Sequence, residues 1–426
     1  MDFGLFVACH RFDESVSTRN VYDQALEMVD LADRAGFRVA WFPEHHLIHY
    51  ISCPSPLMFA ARTGSVDAVK ALLVHGANVN ASETLRGQTA LMWAVAEQHP
   101  EVVRVLIEIG ADVQARTLSY PQRVSFGPER PSKDPRAFGD YEKGGSTPLL
   151  FAARVGDVES ARLLLAAGAN ANDAGPDGIT AVVLATRSGH EKLAQFLVEQ
   201  GADPNAAAAG YTALHAAVLM GDLDLVKTLL AHGADPNAQL TKGTPIRRNR
   251  SDLALQIDLM GATPFLLAAK YADLEIMRVL SSTGADPGLQ MKNGTTPLAA
   301  AAGFGWAGGV NRRGLVYNKF TNYGSTLHPQ EEKETLEAVR FLLGLGLDVN
   351  EADPNGNTPL FGAVAKGFDS VVQFLVDKGA DVNVKNKRGQ TLLKLTVPAR
   401  NLDSDDEPAA NLKSTADLLR KLGAKN

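Results

Sequence analysis

The residues best equipped for chemistry cluster in the first fifty-odd positions. Glu44, His45 and His46 are adjacent, His49 follows closely, and His10, Cys9 and Cys53 share the same stretch. Imidazoles beside a carboxylate can ligate a transition metal or move a proton. The helical zinc motif places a glutamate between two histidines one turn apart, and that spacing is missing here. On an extended segment, adjacent histidines point to opposite sides. No metal site and no cofactor are therefore expected. No cysteine follows Cys53, which excludes a disulfide framework or a cysteine-ligated zinc site for the rest of the chain.

Two further clusters could make contacts rather than perform reactions. Arg247, Arg248 and Arg250 could meet phosphate or carboxylate groups, or form a solvated charge run. Trp306, Arg312, Arg313, Tyr317, Phe320 and Tyr323 fall within a short glycine-rich stretch, and Tyr120 and Phe126 within another. Trp, Tyr and Arg often dominate binding energy at interfaces. These aromatic side chains could equally pack back and fix their own loops.

The whole chain sets the limits. Its 426 residues exceed what one compact core usually holds, and 45% hydrophobic with 21% charged residues is ordinary for a globular protein. A net charge of -6 argues against a general nucleic-acid or membrane-surface role. The opening Met1-Asp2-Phe3-Gly4 lacks the features of a secretory signal, and no apolar stretch approaches a membrane span. The default compartment is cytoplasmic.

The elements that carry these residues come from a repeat. A phrase close to Thr-Pro-Leu opens at Ser55, Thr89, Thr147, Thr180, Thr212, Thr263, Thr296, Thr358 and Thr391. Five of the gaps are 32 to 34 residues, and the other three are one unit plus an insertion. In the unit from Gly145 to Asn172, Thr147 is placed to cap a helix with its hydroxyl, and Pro148 suits the first helical position. Leu149, Leu150, Ala152 and Ala153 predict a slim first helix, and Gly156 a tight reversal. Val158, Ala161, Leu163, Leu164 and Leu165 predict a second helix with most of these toward the core, ended by Gly168. The period and phrase resemble the ankyrin-repeat family across about 54–426. The resemblance implies stacked helix-turn-helix units joined by finger hairpins, and partner binding on the concave side. It implies no catalytic residue. His215, the one histidine at the fourth motif position, is expected to make a structural hydrogen bond within the stack.

Insertions interrupt the repeat near 116–143, 239–259 and 303–332, and a further one near 398–413 carries the acidic run Asp403 to Glu407. Similar insertions occur in a subgroup of bacterial ankyrin proteins. The third splits a unit between its helices, and Ser414 to Leu422 reads as a closing helix.

Residues 1–53 stand apart. Positions 2–9 and 38–42 read as strands, with Val21 to Ala35 as a helix between them, which makes a βαβ fragment with a parallel pair. Phe3-Gly4-Leu5-Phe6, Ala32-Asp33-Arg34-Ala35-Gly36-Phe37, Trp41 and Glu44-His45-His46 resemble the start of the luciferase-like flavin-dependent monooxygenases. That resemblance implies a TIM-barrel origin and places His45 near a flavin. A TIM barrel needs about 250 residues, so most of the flavin site is missing and monooxygenase activity is not expected. The two patterns meet near Pro54, as in a fusion. The fragment could cap the first repeat or remain loosely held.

The sequence thus predicts a mainly α chain. It is an ankyrin-repeat solenoid of about nine helix-turn-helix units with finger hairpins at 54–426, preceded by a truncated βαβ fragment at 1–53. The expected function is a non-catalytic protein-binding scaffold using its concave face, finger tips and insertion loops. The alternative is a flavin-dependent monooxygenase-like oxidoreductase. The expected partners are one or more unidentified proteins, with no nucleic acid and no membrane, bound by a monomer.

Overall fold

A computed structural model describes residues 4–6, 39–41, 55–125, 138–243, 259–304, 329–397 and 410–425. Strands β1 (Gly4–Phe6) and β2 (Val39–Trp41) pair in parallel, with Gly4 opposite Val39 and Phe6 opposite Trp41. The helix expected at Val21 to Ala35 lies outside the described residues.

The remainder is a succession of paired helices that divides into two compact units. Unit 1 holds the pairs Pro56–Thr63 with Val66–Val74, Ala90–Ala96 with Pro100–Glu108, Pro148–Val155 with Val158–Ala166, and Ala181–Arg187 with Glu191–Glu199. Unit 2 holds Ala213–Met220 with Leu223–Ala231, Pro264–Lys270 with Leu274–Ser282, Pro297–Ala301 with Pro329–Gly344, Pro359–Lys366 with Asp369–Asp377, and Leu392–Leu395 with Ala410–Lys421. Within each unit, the first helix of a pair packs against the first helix of the next.

Local chemistry sets the ends of these helices. Ser55, Thr89, Thr212, Thr263, Thr296 and Thr391 sit in extended backbone, and each hydroxyl accepts from the amide three residues on. Thr147 departs from the expectation. Its backbone is extended and Pro148 follows, but its buried hydroxyl accepts no capping bond. Proline at the first helical position already removes one donor there. Second helices are capped by Ser65, Asp157, Asp222 and Asp273. Gly64, Gly156, Gly221 and Gly367 adopt left-handed backbone between the paired helices.

First helices are apolar nearly all round; Leu149, Leu150, Phe151, Ala152 and Ala153 are all buried. Second helices bury only a stripe. In Val158–Ala166 the buried residues are Ser160, Ala161 and Leu164, whereas Val158, Leu163 and Leu165 are half-buried, fewer toward the core than expected. One face of a helix meets the core and the others meet solvent.

Beyond the second helices, side-chain amides tie one repeat to the next. Asn350 Nδ2 donates to the Gly379 carbonyl at 2.9 Å, and its Oδ1 accepts from the Asp381 amide at 2.9 Å. Asn80, Asn205, Asn237 and Asn383 form the same two-bond clamp with the following repeat. Isolated bridges between Ser82 and Thr89, Ala174 and Thr180, and Lys385 and Thr391 close finger hairpins.

The insertions have defined roots. In the first, β3 (Tyr120–Ser125) pairs with β4 (Phe138–Lys143). At the second, Leu240 is fully buried and its amide donates to the Ala262 carbonyl at 2.9 Å. The third does separate two helices of one pair, but the second of these begins at Pro329, inside the stretch read as insertion. Pro329 at the helix start, with Glu331 and Glu332 in the first turn, suits a helix N-terminus. The closing helix starts at Ala410, earlier than Ser414.

Candidate functional site

Counting from each capping residue of unit 1, the fourth position holds Phe59, Trp93, Phe151 and Leu184, and the seventh holds Arg62, Ala96, Arg154 and Arg187. Positions three apart share a helix face. Because successive first helices pack side by side, these residues form a stripe of ring-bearing and basic side chains across unit 1. The equivalent places of unit 2 hold small or aliphatic residues and Lys270: Ala216 and Leu219, Leu267 and Lys270, Ala300 and Gly303, Gly362 and Ala365.

Two of the three arginines of the stripe lie against rings. The Arg62 guanidinium lies 4.7 Å from the Trp93 ring centre and pairs with Glu97 at 3.2 Å. The Arg154 guanidinium lies 5.4 Å from the Phe151 ring centre. Phe151 is buried, Trp93 half-buried, Arg154 exposed and Arg187 half-buried. The Trp93 indole nitrogen is itself buried without an acceptor.

The helix ends beneath this stripe are locked by histidines of the following repeat. His99 Nε2 donates to the Arg62 carbonyl and His190 Nε2 to the Arg154 carbonyl, both at 3.0 Å. Each imidazole occupies the space a side chain would need at Gly64 or Gly156: a Cβ there would lie 2.6 Å or 2.5 Å from the ring. Nothing in the repeat phrase marks these histidines, because their targets lie 37 and 36 residues away.

His215 has the structural role expected of it. Its Nδ1 accepts from the Thr212 amide at 3.3 Å and hydroxyl at 2.9 Å, and its Nε2 donates to the Ala262 carbonyl at 3.2 Å. Complete burial lowers its pKa to about 4, against the pull of the backbone acceptors Ala262 and Ala238.

At the root of the third insertion, Glu331 is buried and neither carboxylate oxygen has a hydrogen-bond partner; the fully buried Thr335 hydroxyl has none either. Burial raises the Glu331 pKa, offset in part by Lys366, and burial lowers that of Lys366, offset by Glu331.

Of the candidate contact residues, Tyr120 opens β3 and is 52% exposed, near the exposed Leu118, whose amide donates to the Arg86 carbonyl at 2.7 Å. Phe126, Arg247, Arg248, Arg250, Trp306, Arg312, Arg313, Tyr317, Phe320, Tyr323 and His45 lie outside the described residues. Among the described residues, no group of three or more His, Cys, Asp or Glu is placed to hold a metal, and no helix is long and apolar enough to cross a membrane.

The model of the family described as ankyrin repeats matches residues 44–117, 149–239 and 318–386, together more than half of the chain. The chain belongs to the ankyrin-repeat family. The model of the luciferase-like monooxygenases matches residues 1–66, so the two matches overlap at 44–66. Among curated relatives, the E3 ubiquitin-protein ligase KEG of Arabidopsis thaliana is 23% identical over 82% of this chain and 18% of its own length. Human ankyrin repeat and SOCS box protein 6 is 28% identical over 37% of this chain and 46% of its own. The chain thus spans less than half the length of these relatives. The human ASB11 ankyrin repeat domain aligns at 25% identity with a TM-score of 0.42, covering 57% of this chain and 90% of that one. The Bcl-3 ankyrin repeat domain aligns at 26% identity with a TM-score of 0.43, covering 58% and 93%.

Proposed function

We propose that this ankyrin-repeat chain is a non-catalytic scaffold that binds one or more partner proteins, acting as a cytoplasmic monomer without nucleic acid or membrane. The contact surface is the face formed by its first helices and finger tips, extended by the insertions. Tyr120, Phe126, Arg247, Arg248, Arg250, Trp306, Arg312, Arg313, Tyr317, Phe320 and Tyr323 supply contacts from those insertions. The observation that carries this reading is a division of roles within each repeat. Capping hydroxyls, asparagine clamps and apolar helix faces serve the stacking. Six seventh positions of the first helices, Arg62, Ala96, Arg154, Arg187, Lys270 and Ala365, differ in chemistry and are half-buried or exposed, whereas Leu219 and Gly303 are buried. Affinity purification with the full chain, compared with a variant lacking 305–328, which leaves the helix Pro329–Gly344 whole, tests it. A saturable partner retained by the full chain and weakened by the deletion is expected. Absence of any saturable partner would overturn the scaffold, and a partner unaffected by the deletion would remove that insertion from the surface.

The match of residues 1–66 to the luciferase-like family favours a second reading, a flavin-dependent oxidoreductase in which His45 stands near the flavin. It ranks below the first because the matched segment is far shorter than the roughly 250 residues of a TIM barrel. Incubation of the purified chain with flavin decides between them: a bound, yellow species supports the second reading, and a colourless protein removes it.

A further inference from the structure

We infer that the segment carrying β1 and β2 is the cap of the first repeat, seated on the helix Pro56–Thr63, so that this one helix serves both sequence patterns of the chain. Leu57, Met58, Phe59, Ala60 and Ala61 are each no more than 3% exposed. Successive residues of a helix turn by about 100°, so these five look out in every direction. In a stack of repeats such a helix is covered by its own partner helix and by the repeats before and after it. Pro56–Thr63 packs on its partner, Val66–Val74, and on the next first helix, Ala90–Ala96. No repeat phrase precedes Ser55 in the sequence. Burial on every side therefore calls for a cover that is not a repeat. The closing pair shows a first helix without one. Leu392–Leu395 also packs on its partner helix and one neighbouring first helix, yet Lys394 is exposed, Leu395 is half-buried and Val397 just beyond is 66% exposed.

The cover is assigned to residues 1–53 rather than to a second copy of the chain. Met1–Gln122 fall within one compact unit. β2 ends at Trp41 and the helix starts at Pro56, so a short connection tethers the strands to it. The luciferase-like match runs over 1–66 and the first ankyrin match over 44–117, and both include Pro56–Thr63. Where strand, helix and strand alternate in a parallel sheet, the helix that follows a strand covers the sheet. β1 and β2 are parallel neighbours, and parallel strands keep their faces covered by helices. Two strands cannot bury their own apolar faces in water. The strand pair thus lacks a surface and the first repeat lacks a cover, and each supplies the other. The outer helix Val66–Val74 is not part of the seat: Val69 is its only buried residue, and Val74 is 83% exposed. A second copy stacked as a preceding repeat would cover both helices of the pair.

The test uses the full chain with a protease site inserted between His49 and Tyr50, read by gel filtration and by hydrogen exchange. In the uncut chain, amides of Pro56–Thr63 are expected to be as protected as those of Ala90–Ala96. After cleavage the segment is expected to co-elute with the remainder and that protection to persist. Release of the segment together with loss of the protection supports the inference equally. Release with the protection unchanged would overturn it. Deleting residues 1–53 is expected to lower protection of Pro56–Thr63 at least about tenfold and to leave Asp369–Asp377 unchanged. If the deleted chain fails to fold, the cleaved chain in rising urea reads the same effect: release of the segment and exchange of Pro56–Thr63 should rise together. A deletion without effect on that helix would overturn the inference. So would protection that grows with protein concentration in the uncut chain, which would assign the cover to a second copy.

Discussion

Asn350 joins two repeats with one side-chain amide, donating to the Gly379 carbonyl and accepting from the Asp381 amide. Both targets lie in the turn that follows the next repeat's second helix, Asp369–Asp377, so the asparagine satisfies backbone groups that no helix or strand pairs. Asn350→Ala should therefore cost about 1–2 kcal/mol, two modest hydrogen bonds at a surface site, read by chemical denaturation. His215 ties repeats together from the inside, and its cost depends on pH. The folded state keeps the imidazole neutral down to about pH 4, whereas the unfolded chain takes up the proton below 6.5. The histidine's contribution is thus fully present above pH 6.5 and is lost as pH falls toward 4. The gap between the two pKa values corresponds to roughly 3 kcal/mol. Denaturation midpoints measured across that range should fall with acid in the wild type, and the slope attributable to this residue should vanish in His215→Gln.

The turns between paired helices show what a sequence reveals about an element and what it conceals. Gly64, Gly156, Gly221 and Gly367 take the left-handed backbone that the reversal needs, and the place of Gly156 between two helical patterns makes that role legible from the sequence alone. The equivalent turns at Gln98 and Ala272 have φ of 62° and 51° on residues with a side chain, which costs about 1–2 kcal/mol. Gln98 has a compensation, since its Nε2 donates to the Val155 carbonyl at 2.9 Å. No such bond can come from the methyl of Ala272. Ala272→Gly should raise stability by about 0.5–1 kcal/mol, the relief of strain exceeding the extra freedom given to the unfolded chain. Gly64→Ala should do the opposite and by more, because its methyl would also meet the His99 ring; thermal melting of the two variants should move in opposite directions. The capping threonines, the prolines behind them and the helix periods are readable because each is a local contest among neighbours in the chain. The asparagine clamps and the His99 and His190 contacts are not, since each joins groups about thirty residues apart. The stripe of Arg62, Arg154 and Arg187 is hidden for a related reason: its members share a place in the repeat rather than a stretch of sequence. Pro329 reads as part of an insertion because the interrupted repeat erases the periodicity that would mark a helix start.

Across the whole molecule, stability should be distributed rather than pooled. In a stacked repeat each unit buries its apolar face mainly against its neighbours, so the energy is close to a sum of local and nearest-neighbour contributions. Leu164 and Leu229 are both fully buried on second helices, one in unit 1 and one in unit 2. Truncating either to alanine removes similar apolar contact and should cost about 2–5 kcal/mol. A single shared core would spread that loss over every residue. A chain of locally held repeats would confine it, because opening free energies are set by the contacts of each cooperative segment. Native-state hydrogen exchange distinguishes the two. With Leu164→Ala, amides of Val158–Ala166 and its flanking helix pairs should lose protection while those of Asp369–Asp377 keep it. With Leu229→Ala the loss should centre on Leu223–Ala231. Uniform loss of protection along the chain in either variant would mean that the repeats unfold as one body, and the additive account of their stability would fail.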